Sequence, residues 1–173
     1  MAKLYAKRLA REERKVRVIY ISSYIPRQCG LATYTKDLTT AINLLNPQCL
    51  SEITAINDCG NHYDYPWEVK FRIDQDDLGS YYKTADYINQ SSAEVVNLQH
   101  EFGLFGGKIE EYSGEYVLAL AKKIKKPLIT TFHTVLSRPS SEQRKVVKEL
   151  TKISKAVVVM IEEAVRRLVK LYG

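Results

Sequence analysis

The 173-residue sequence contains only three cysteines, Cys29, Cys49 and Cys59, and no two of them have the C-x-x-C spacing of a structural zinc site. An odd number of scattered cysteines also argues against a disulfide framework. No window contains the run of about 18 apolar residues that a membrane-spanning helix requires, and residues 1–16 carry charges where a signal peptide needs an apolar stretch. We therefore expect a cytoplasmic protein without a structural metal.

Glycine and proline are scarce as well, at 8 and 5 residues. With 45% hydrophobic and 27% charged residues, the composition excludes collagen-like, low-complexity and wholly disordered chains. The length matches one domain of the usual size. The sequence therefore predicts a single folded core that needs no covalent cross-links.

The formal net charge of +6 is unevenly distributed along the chain. Residues 1–17 contain seven Lys or Arg against two Asp or Glu, so we predict a basic, partly helical tail over residues 1–15 and a folded domain over residues 16–173. Within the domain, residues 52–121 carry a net charge of −9 and residues 122–173 one of +9. The tail and the basic last segment predict attraction to an anionic membrane surface. Nucleic acid is not an expected partner, because no motif that interleaves basic and aromatic residues accompanies the charge.

Short apolar runs alternate with amphipathic helical segments along the domain. The predicted strands cover residues 16–22, 53–56, 69–73, 95–98, 128–132 and 156–160, and the predicted helices cover residues 31–45, 76–89, 111–125, a segment from Ser140 and a last segment to Tyr172. This alternation is typical of an α/β fold, a doubly wound, mostly parallel, Rossmann-like sheet of about six strands with helices on both faces. Strand three alternates like an edge strand, whereas strands one, four, five and six are continuously apolar like central strands. The pattern fits the order 3-2-1-4-5-6.

In such a sheet, ligands bind beyond the carboxyl ends of the strands where the strand order reverses, here between strands one and four. Neither a G-x-G-x-x-G fingerprint nor a Walker loop occurs in the sequence. Gly30 nevertheless stands at the start of the first helix, where free backbone N–H groups and the helix dipole favour a phosphate. A glycine that serves only a tight corner is an equally good interpretation of this spacing.

Cys29, next to this helix start, raises the hypothesis of a nucleophilic thiol assisted by Arg27. A cysteine phosphatase would need an arginine six positions later, but Thr35 stands there, and the G-x-C-x-G pattern is missing. The sequence therefore favours a small, semi-buried thiol in a turn.

His100 and Glu101 follow the fourth strand and lead into the glycine-rich segment F-G-L-F-G-G. Leu104 replaces the second histidine of the H-E-x-x-H motif, so no zinc site is predicted. The segment suits a loop that closes over a polyhydroxyl ligand with Phe102 and Phe105 as stacking surfaces. The segment fits equally well a second interpretation, in which Phe102 and Phe105 anchor the loop to the core and His100 is merely solvated.

Four segments, Y-I-P-R-Q-C-G-L-A-T-Y-T, V-V-N-L-Q-H-E-F-G-L-F-G-G, P-L-I-T-T-F-H-T-V and A-V-V-V-M, occur in this order and spacing. Together they resemble the N-terminal half of retaining glycosyltransferases of the family-four type, which have the GT-B architecture of two facing Rossmann-like domains. The resemblance covers residues 16–173. It implies a catalytic His133 that faces the donor sugar, although a histidine that merely caps the core is the alternative at that position. It also implies that Gly30 and the adjacent Cys29 lie near the donor diphosphate.

The residues that the resemblance assigns to the acceptor or sugar are Tyr24, Arg27, Gln28, His100, Glu101, Phe102, Gly103, Phe105, Gly106 and Thr134. The sequence departs from the family in two ways. Many members have a second glycine where Cys29 stands, and the family's C-terminal half, with its Glu-x7-Glu motif, is expected to be absent from this chain.

The resemblance therefore implies the acceptor-side half of an enzyme that transfers a sugar from a nucleotide diphosphate sugar with retention and without a metal. This half is expected to be inactive without the donor-binding half, in cis or in trans. The expected partners are that half, a sugar nucleotide and a glycan or lipid-linked acceptor, and no cofactor is implied. A non-catalytic module that binds a glycan, a nucleotide sugar or a protein partner is the alternative.

Overall fold

The computed structural model of the protein describes residues 15–58, 60–107 and 114–173. The predicted tail therefore lies outside the described residues except for Lys15, and so do Cys59 and the first three residues of the helix predicted over 111–125. The strands are β1 (Val18–Ser22), β2 (Glu52–Asn57), β3 (Val69–Asp74), β4 (Val95–His100), β5 (Leu128–Phe132) and β6 (Ala156–Val159). The helices are α1 (Gly30–Leu45), α2 (Leu78–Gln90), α3 (Tyr116–Lys123), α4 (Ser141–Ile153) and α5 (Glu162–Arg167), which continues as a π-helical turn over Leu168–Tyr172.

The six strands form one parallel sheet in the order β3-β2-β1-β4-β5-β6, which confirms the predicted fold class and strand order. Helices connect most of the strands, as parallel pairing requires. The exception is the long connection between β2 and β3, which has neither helix nor strand in its described part.

Local side-chain chemistry sets several helix boundaries. Helix α2 begins at Leu78 rather than at residue 76, because the Asp77 side chain accepts a hydrogen bond from the backbone N–H of Gly79 at 2.8 Å and so caps the helix. Helix α4 begins after Ser140, as predicted, and Ser140 and Gln143 form a reciprocal capping box.

The sheet separates two apolar clusters. The larger one contains Ile19 and Ile21 of β1 and packs beneath α2, α3 and α4. The smaller one contains Tyr20 on the opposite face and packs against Leu38 of α1. Successive side chains of a strand point to opposite faces, so β1 contributes to both clusters. Among the described residues, no helix is both long and apolar enough to cross a membrane.

The predicted order places β6 at the edge, as the structure does, but the comparison of its apolar run with that of a central strand is wrong. The strand lies beside β5, and its side chains alternate between exposed and half-buried, with Val158 44% exposed. An apolar run indicates only that its side chains avoid water. It does not indicate whether the strand has a neighbouring strand on both sides.

Candidate functional site

The carboxyl ends of β1, β4 and β5 lie side by side, because these three strands are parallel neighbours. The segments that follow them begin at Ser23, Glu101 and His133. The structure therefore brings most of the residues singled out in the sequence to one edge of the sheet, although their side chains have very different surroundings.

Gly30 opens helix α1 at this edge and is exposed. It does not have a positive φ, and a Cβ added there would meet nothing within 4 Å. The corner itself therefore does not require glycine, and the tight-corner interpretation loses its physical basis. Open space in front of a helix N-terminus is what an approaching anion needs.

Cys29 is the N-cap of α1. Its carbonyl accepts from the backbone N–H of Ala32 at 3.1 Å, and its Sγ accepts from the same N–H at 3.4 Å. Ser23 Oγ lies 3.1 Å from Sγ. The thiol is half-buried and caps the first turn of α1. This agrees with the interpretation of Cys29 as a small, semi-buried thiol in a turn.

Arg27 does not assist this thiol. Its guanidinium donates to the carbonyl of Ile56 at 3.0 Å and lies 3.7 Å from the carboxylate of Asp58. These contacts tie the segment after β1 to the end of β2. The neighbouring Gln28 is exposed at the rim.

His133 is half-buried, and two contacts hold its ring. Nε2 lies 2.6 Å from Oε1 of Gln99, and the ring packs edge-on against Tyr34 of α1 with centroids 4.8 Å apart. Gln99 in turn donates through Nε2 to Asn97 Oδ1 at 2.5 Å. Because the Gln99 oxygen can only accept, the proton of the neutral imidazole is on Nε2, and Nδ1 is left as an acceptor.

Burial lowers the pKa of His133 below its ordinary value, and the nearby Glu101 carboxylate only partly offsets this. At neutral pH the ring is therefore an uncharged group of fixed orientation at the rim. Such a ring can accept a hydrogen bond from a hydroxyl group of a ligand.

Glu101 and Thr134 bind each other. The Thr134 hydroxyl donates to Oε2 of Glu101 at 2.7 Å, and the other carboxylate oxygen accepts from the backbone N–H of Phe102 at 2.9 Å. Both side chains are half-buried. The pair joins the segments that follow β4 and β5 and so supports the position of His133.

His100 is wrongly predicted as a sugar-binding or solvated side chain, because it is fully buried. Its ring stacks on Phe105 with centroids 5.8 Å apart and forms T-shaped contacts with Phe102 and Phe132, with centroids 5.1 and 5.2 Å apart. Neither ring nitrogen has a hydrogen-bond partner in the described part of the chain. Burial, reinforced by the nearby His133, lowers the pKa of His100 to about 3, so the ring is neutral.

The prediction that Phe105 and Gly106 contact a ligand is also wrong. In the structure they anchor the segment after β4 to the core. Phe105 is 3% exposed and belongs to the larger apolar cluster. The N–H of Gly106 donates to the hydroxyl of Tyr81 at 2.9 Å, and a Cβ at this glycine would lie 2.0 Å from the carbonyl oxygen of Gln75.

Residues outside this segment also contact its remaining residues. Gly103, exposed and with φ +84°, accepts through its carbonyl from Gln75 Nε2 at 2.9 Å. Phe102 is only partly buried. In its described part, the segment after β4 is therefore anchored to the core, and Phe105 offers no stacking surface to a ligand in this arrangement.

The prediction that Tyr24 contacts an acceptor is wrong as well, because its side chain is 1% exposed and inaccessible to an acceptor. Its hydroxyl donates to Oε1 of Glu68 at 3.1 Å, and Lys36 of α1 donates to the same oxygen at 2.8 Å. Burial acts to raise the pKa of Glu68, but hydrogen bonds, that from Lys36 foremost, hold it below the ordinary value. Sequence reasoning missed Glu68, because a single carboxylate at the end of a loop carries no pattern.

We expect the Glu68→Ala variant to lose about 2 kcal/mol of the free energy of unfolding, because it leaves the buried Tyr24 hydroxyl and the Lys36 ammonium without their acceptor. Urea denaturation at neutral pH measures the loss. The exposed ion pair of Glu162 and Arg166 supplies the control, since Glu162→Ala should cost less than about 1 kcal/mol. Equal losses in the two variants would contradict an anchoring role for Glu68.

No group of three or more His, Cys, Asp or Glu side chains within the described ranges could hold a metal ion. No model of a known protein family matches the sequence, and no curated protein matches it either. The sheet and its edge define a class, that of α/β proteins with a Rossmann-like arrangement. This class alone assigns no activity, because one such fold carries many different functions.

Proposed function

We propose that this chain is the acceptor-side half of a glycosyltransferase that transfers a sugar from a nucleotide diphosphate sugar with retention. One observation carries the proposal: the open start of α1 and the neutral ring of His133 share one corner of the sheet edge. Tyr34 lies four residues after Gly30, hence on the same face of α1, and its ring contacts His133. An anion site and a hydroxyl-accepting group thus lie side by side.

Each group has a distinct role in this proposal. The first N–H groups of α1 have no partner within the helix, so together with the helix dipole they stabilise the negative charge of a diphosphate leaving group. Gly30 lets the diphosphate approach, since no side chain stands in front of the helix. His133 accepts a hydrogen bond from a hydroxyl of the donor sugar through Nδ1. Exposed Gln28 lies on the acceptor side.

The donor-binding half would complete the site from the other side of a cleft. The surface near β6 supports this part of the proposal, since Met160, directly after β6, is 42% exposed and Ile161 is 60% exposed. The carboxyl end of β6 belongs to the same edge as His133, and neighbouring exposed apolar residues mark a surface that another domain can cover. The half would be joined in cis or in trans, and a glycan or lipid-linked acceptor would bind between the two halves.

An anionic membrane surface remains a proposed partner through residues 1–17. Of this segment the structure describes only Lys15, Val16 and Arg17.

The test measures binding of uridine, guanosine and adenosine diphosphates to the isolated chain by calorimetry. We expect one of them to bind with a dissociation constant in the millimolar range, because the proposal assigns half of the site to the donor-binding half. Gly30→Val should weaken that binding at least tenfold, since its side chain fills the space before the helix without meeting the protein. Thr40→Val, at an exposed position later in α1, is the matched control and should bind like the unchanged chain.

Three outcomes would overturn the proposal: no binding of any of the three diphosphates at 10 mM, unchanged binding by Gly30→Val, or rapid hydrolysis of a sugar nucleotide by the isolated chain. The last would show that no second half is needed. Melting temperatures of the two variants verify that each is folded.

A further inference from the structure

Part of one face of the sheet is not covered by any described helix. Tyr20 of β1 points to the face on which α1 lies. The register aligns Tyr20 with Asn97 and Asn97 with Ile129, and aligned side chains of neighbouring strands point to the same face. Ile129 is aligned in turn with Ala156. We call the part of this face that belongs to the last three strands of the sheet the β4–β6 face; its side chains are Val95, Asn97, Ile129, Ala156 and Val158.

The helices of the described ranges leave the β4–β6 face open. Helices α2, α3, α4 and α5 pack on the opposite face, where their buried side chains belong to the larger apolar cluster. Helix α1 packs over β1 and β2 through the smaller cluster. Asn97 and Ile129 are therefore only half-buried, although β4 and β5 are interior strands. Parallel sheets are normally covered on both faces, so this face is a surface that calls for an occupant.

One side of α1 borders the β4–β6 face. Tyr34 marks that side, because its ring contacts His133 at the end of β5. Ala41 and Leu45 follow Tyr34 by seven and eleven residues, which is about two and three helical turns, so they lie on the same side of α1. Both are exposed, Leu45 to 79%. The face and this side of α1 form the floor and one wall of a groove, and none of the side chains named in either is charged.

The described chain begins at one end of this groove. Lys15 Nζ donates to Oε1 of Gln48, which lies three residues beyond the end of α1. The backbone N–H of Arg17 donates to Oε2 of Glu94 at 3.2 Å, and the backbone N–H of Glu94 donates to the carbonyl of Arg17 at 2.9 Å. The residues before Lys15 therefore start between the last turn of α1 and the amino end of β4.

Residues 1–14 lie outside the described residues, and their sequence has the spacing of an amphipathic helix. Apolar residues recur at intervals of three and four, which places them on one side of a helix: Ala2, Tyr5, Ala6 and Leu9. The other side of such a helix carries basic residues: Lys3, Lys7, Arg11 and Arg14. Fourteen helical residues are about 21 Å long, and the six residues of β4 are about 20 Å long, so the lengths match.

From these observations we infer that residues 1–14 pack as a helix into the groove, with their apolar side on the β4–β6 face. The charges at the amino edge of the sheet favour this arrangement. Residues 15–17, 91–94, 124–127 and 154–155, which precede β1, β4, β5 and β6, contain five Lys or Arg against one acidic residue, Glu94. Glu12 and Glu13 would reach this edge. The basic side of the helix faces solvent, which leaves the proposed membrane contact of residues 1–17 open.

NMR spectroscopy on the full chain tests the packing directly. We expect nuclear Overhauser effects between the ring protons of Tyr5 and the methyl groups of Ile129 or Val158, because packed side chains are in contact. In a sample that mixes labelled and unlabelled chains, these effects should arise within one chain and not between two.

Trypsin cleavage after Lys7 measures how firmly the segment is held, because a packed helix must detach before the protease can cut it. Leu9→Ser should accelerate this cleavage about tenfold or more. The matched control is Leu4→Ser, which makes the same change away from the apolar side and should stay within about twofold.

The sheet provides a second pair of variants. Val158→Lys places a charge on the β4–β6 face and should accelerate the cleavage about tenfold or more as well. Val165→Lys on α5 is its control, since Val165 is similarly exposed, at 48% against 44%, but belongs to a helix on the opposite face. Melting temperatures verify that each variant is folded.

The absence of Tyr5 contacts with both Ile129 and Val158 would overturn the inference, and so would equal cleavage rates of Leu9→Ser and Leu4→Ser. Contacts found only between differently labelled chains would mean that the groove is filled by a second copy, and they would overturn it too.

Discussion

Replacing Gly106 with alanine is expected to cost about 3 kcal/mol or more of the free energy of unfolding. A Cβ at this position would lie 2.0 Å from the carbonyl oxygen of Gln75 and 2.9 Å from a ring carbon of Tyr116. The first of these atoms belongs to the backbone and cannot rotate away, so the segment after β4 and the segment after β3 must separate. That separation also breaks the hydrogen bond from the Gly106 N–H to Tyr81.

Two other glycines provide graded controls for the same substitution. Gly103→Ala has open space but keeps φ +84°, so it should cost about 1 kcal/mol. Gly30→Ala has open space and no positive φ, so its stability should be unchanged or slightly higher. Urea denaturation of the three variants measures the series. A Gly106→Ala variant no less stable than Gly103→Ala would show that the close contact relaxes without cost.

Acidification from pH 7.5 to pH 5 should lower the stability of the unchanged chain by about 2 kcal/mol through His100 alone. Burial lowers the pKa of this imidazole from 6.5 to about 3, so the unfolded chain binds more protons than the folded chain between these values. The stability contribution is therefore complete above pH 6.5 and is lost progressively as the pH falls toward 3. Within the part of the chain that the structure describes, no hydrogen-bond partner compensates the ring in its aromatic surroundings.

The variant that isolates this effect is His100→Phe, which keeps an aromatic ring between Phe102, Phe105 and Phe132. We expect most of the loss between pH 7.5 and 5 to disappear in this variant, with a smaller slope remaining because burial also lowers the pKa of His133. Exposed His62 is the control, and His62→Gln should retain the full loss.

Denaturation by urea at several pH values supplies the free energies, and the His100 ring signals in an NMR titration give an independent readout on the unchanged chain. Identical pH profiles of the unchanged chain and His100→Phe would contradict the assignment. So would an imidazole of His100 that titrates near pH 6.5 in the folded chain.

The fold was predictable because its signals are local. The apolar run that forms β1, the helical spacing of α1 and the capping pair Ser140 and Gln143 are each contained within a few residues. The strand order followed from the edge-like alternation of strand three and the continuously apolar runs of other strands. The predicted order placed β6 correctly at the edge, but its apolar composition suggested a strand buried on both faces, since neighbours in a sheet are not encoded within the strand itself.

The candidate site was predictable in position but not in detail. That the segments after β1, β4 and β5 meet at one edge follows from parallel pairing alone. Whether Tyr24 faces solvent depends on Glu68, which is 44 residues away in the chain. In the same way, the burial of His100 depends on Phe132, a residue of another strand.

The sequence by itself determined the α/β class, the order of the strands and the edge at which chemistry-bearing residues collect. It did so because hydrophobic periodicity and capping act between residues close in the chain. Only the tertiary structure decided that Gly30 and His133 remain accessible at that edge, whereas Tyr24, His100 and Gly106 are held inside. Burial depends on contacts between distant segments, and no local pattern records which side chain such a contact will cover.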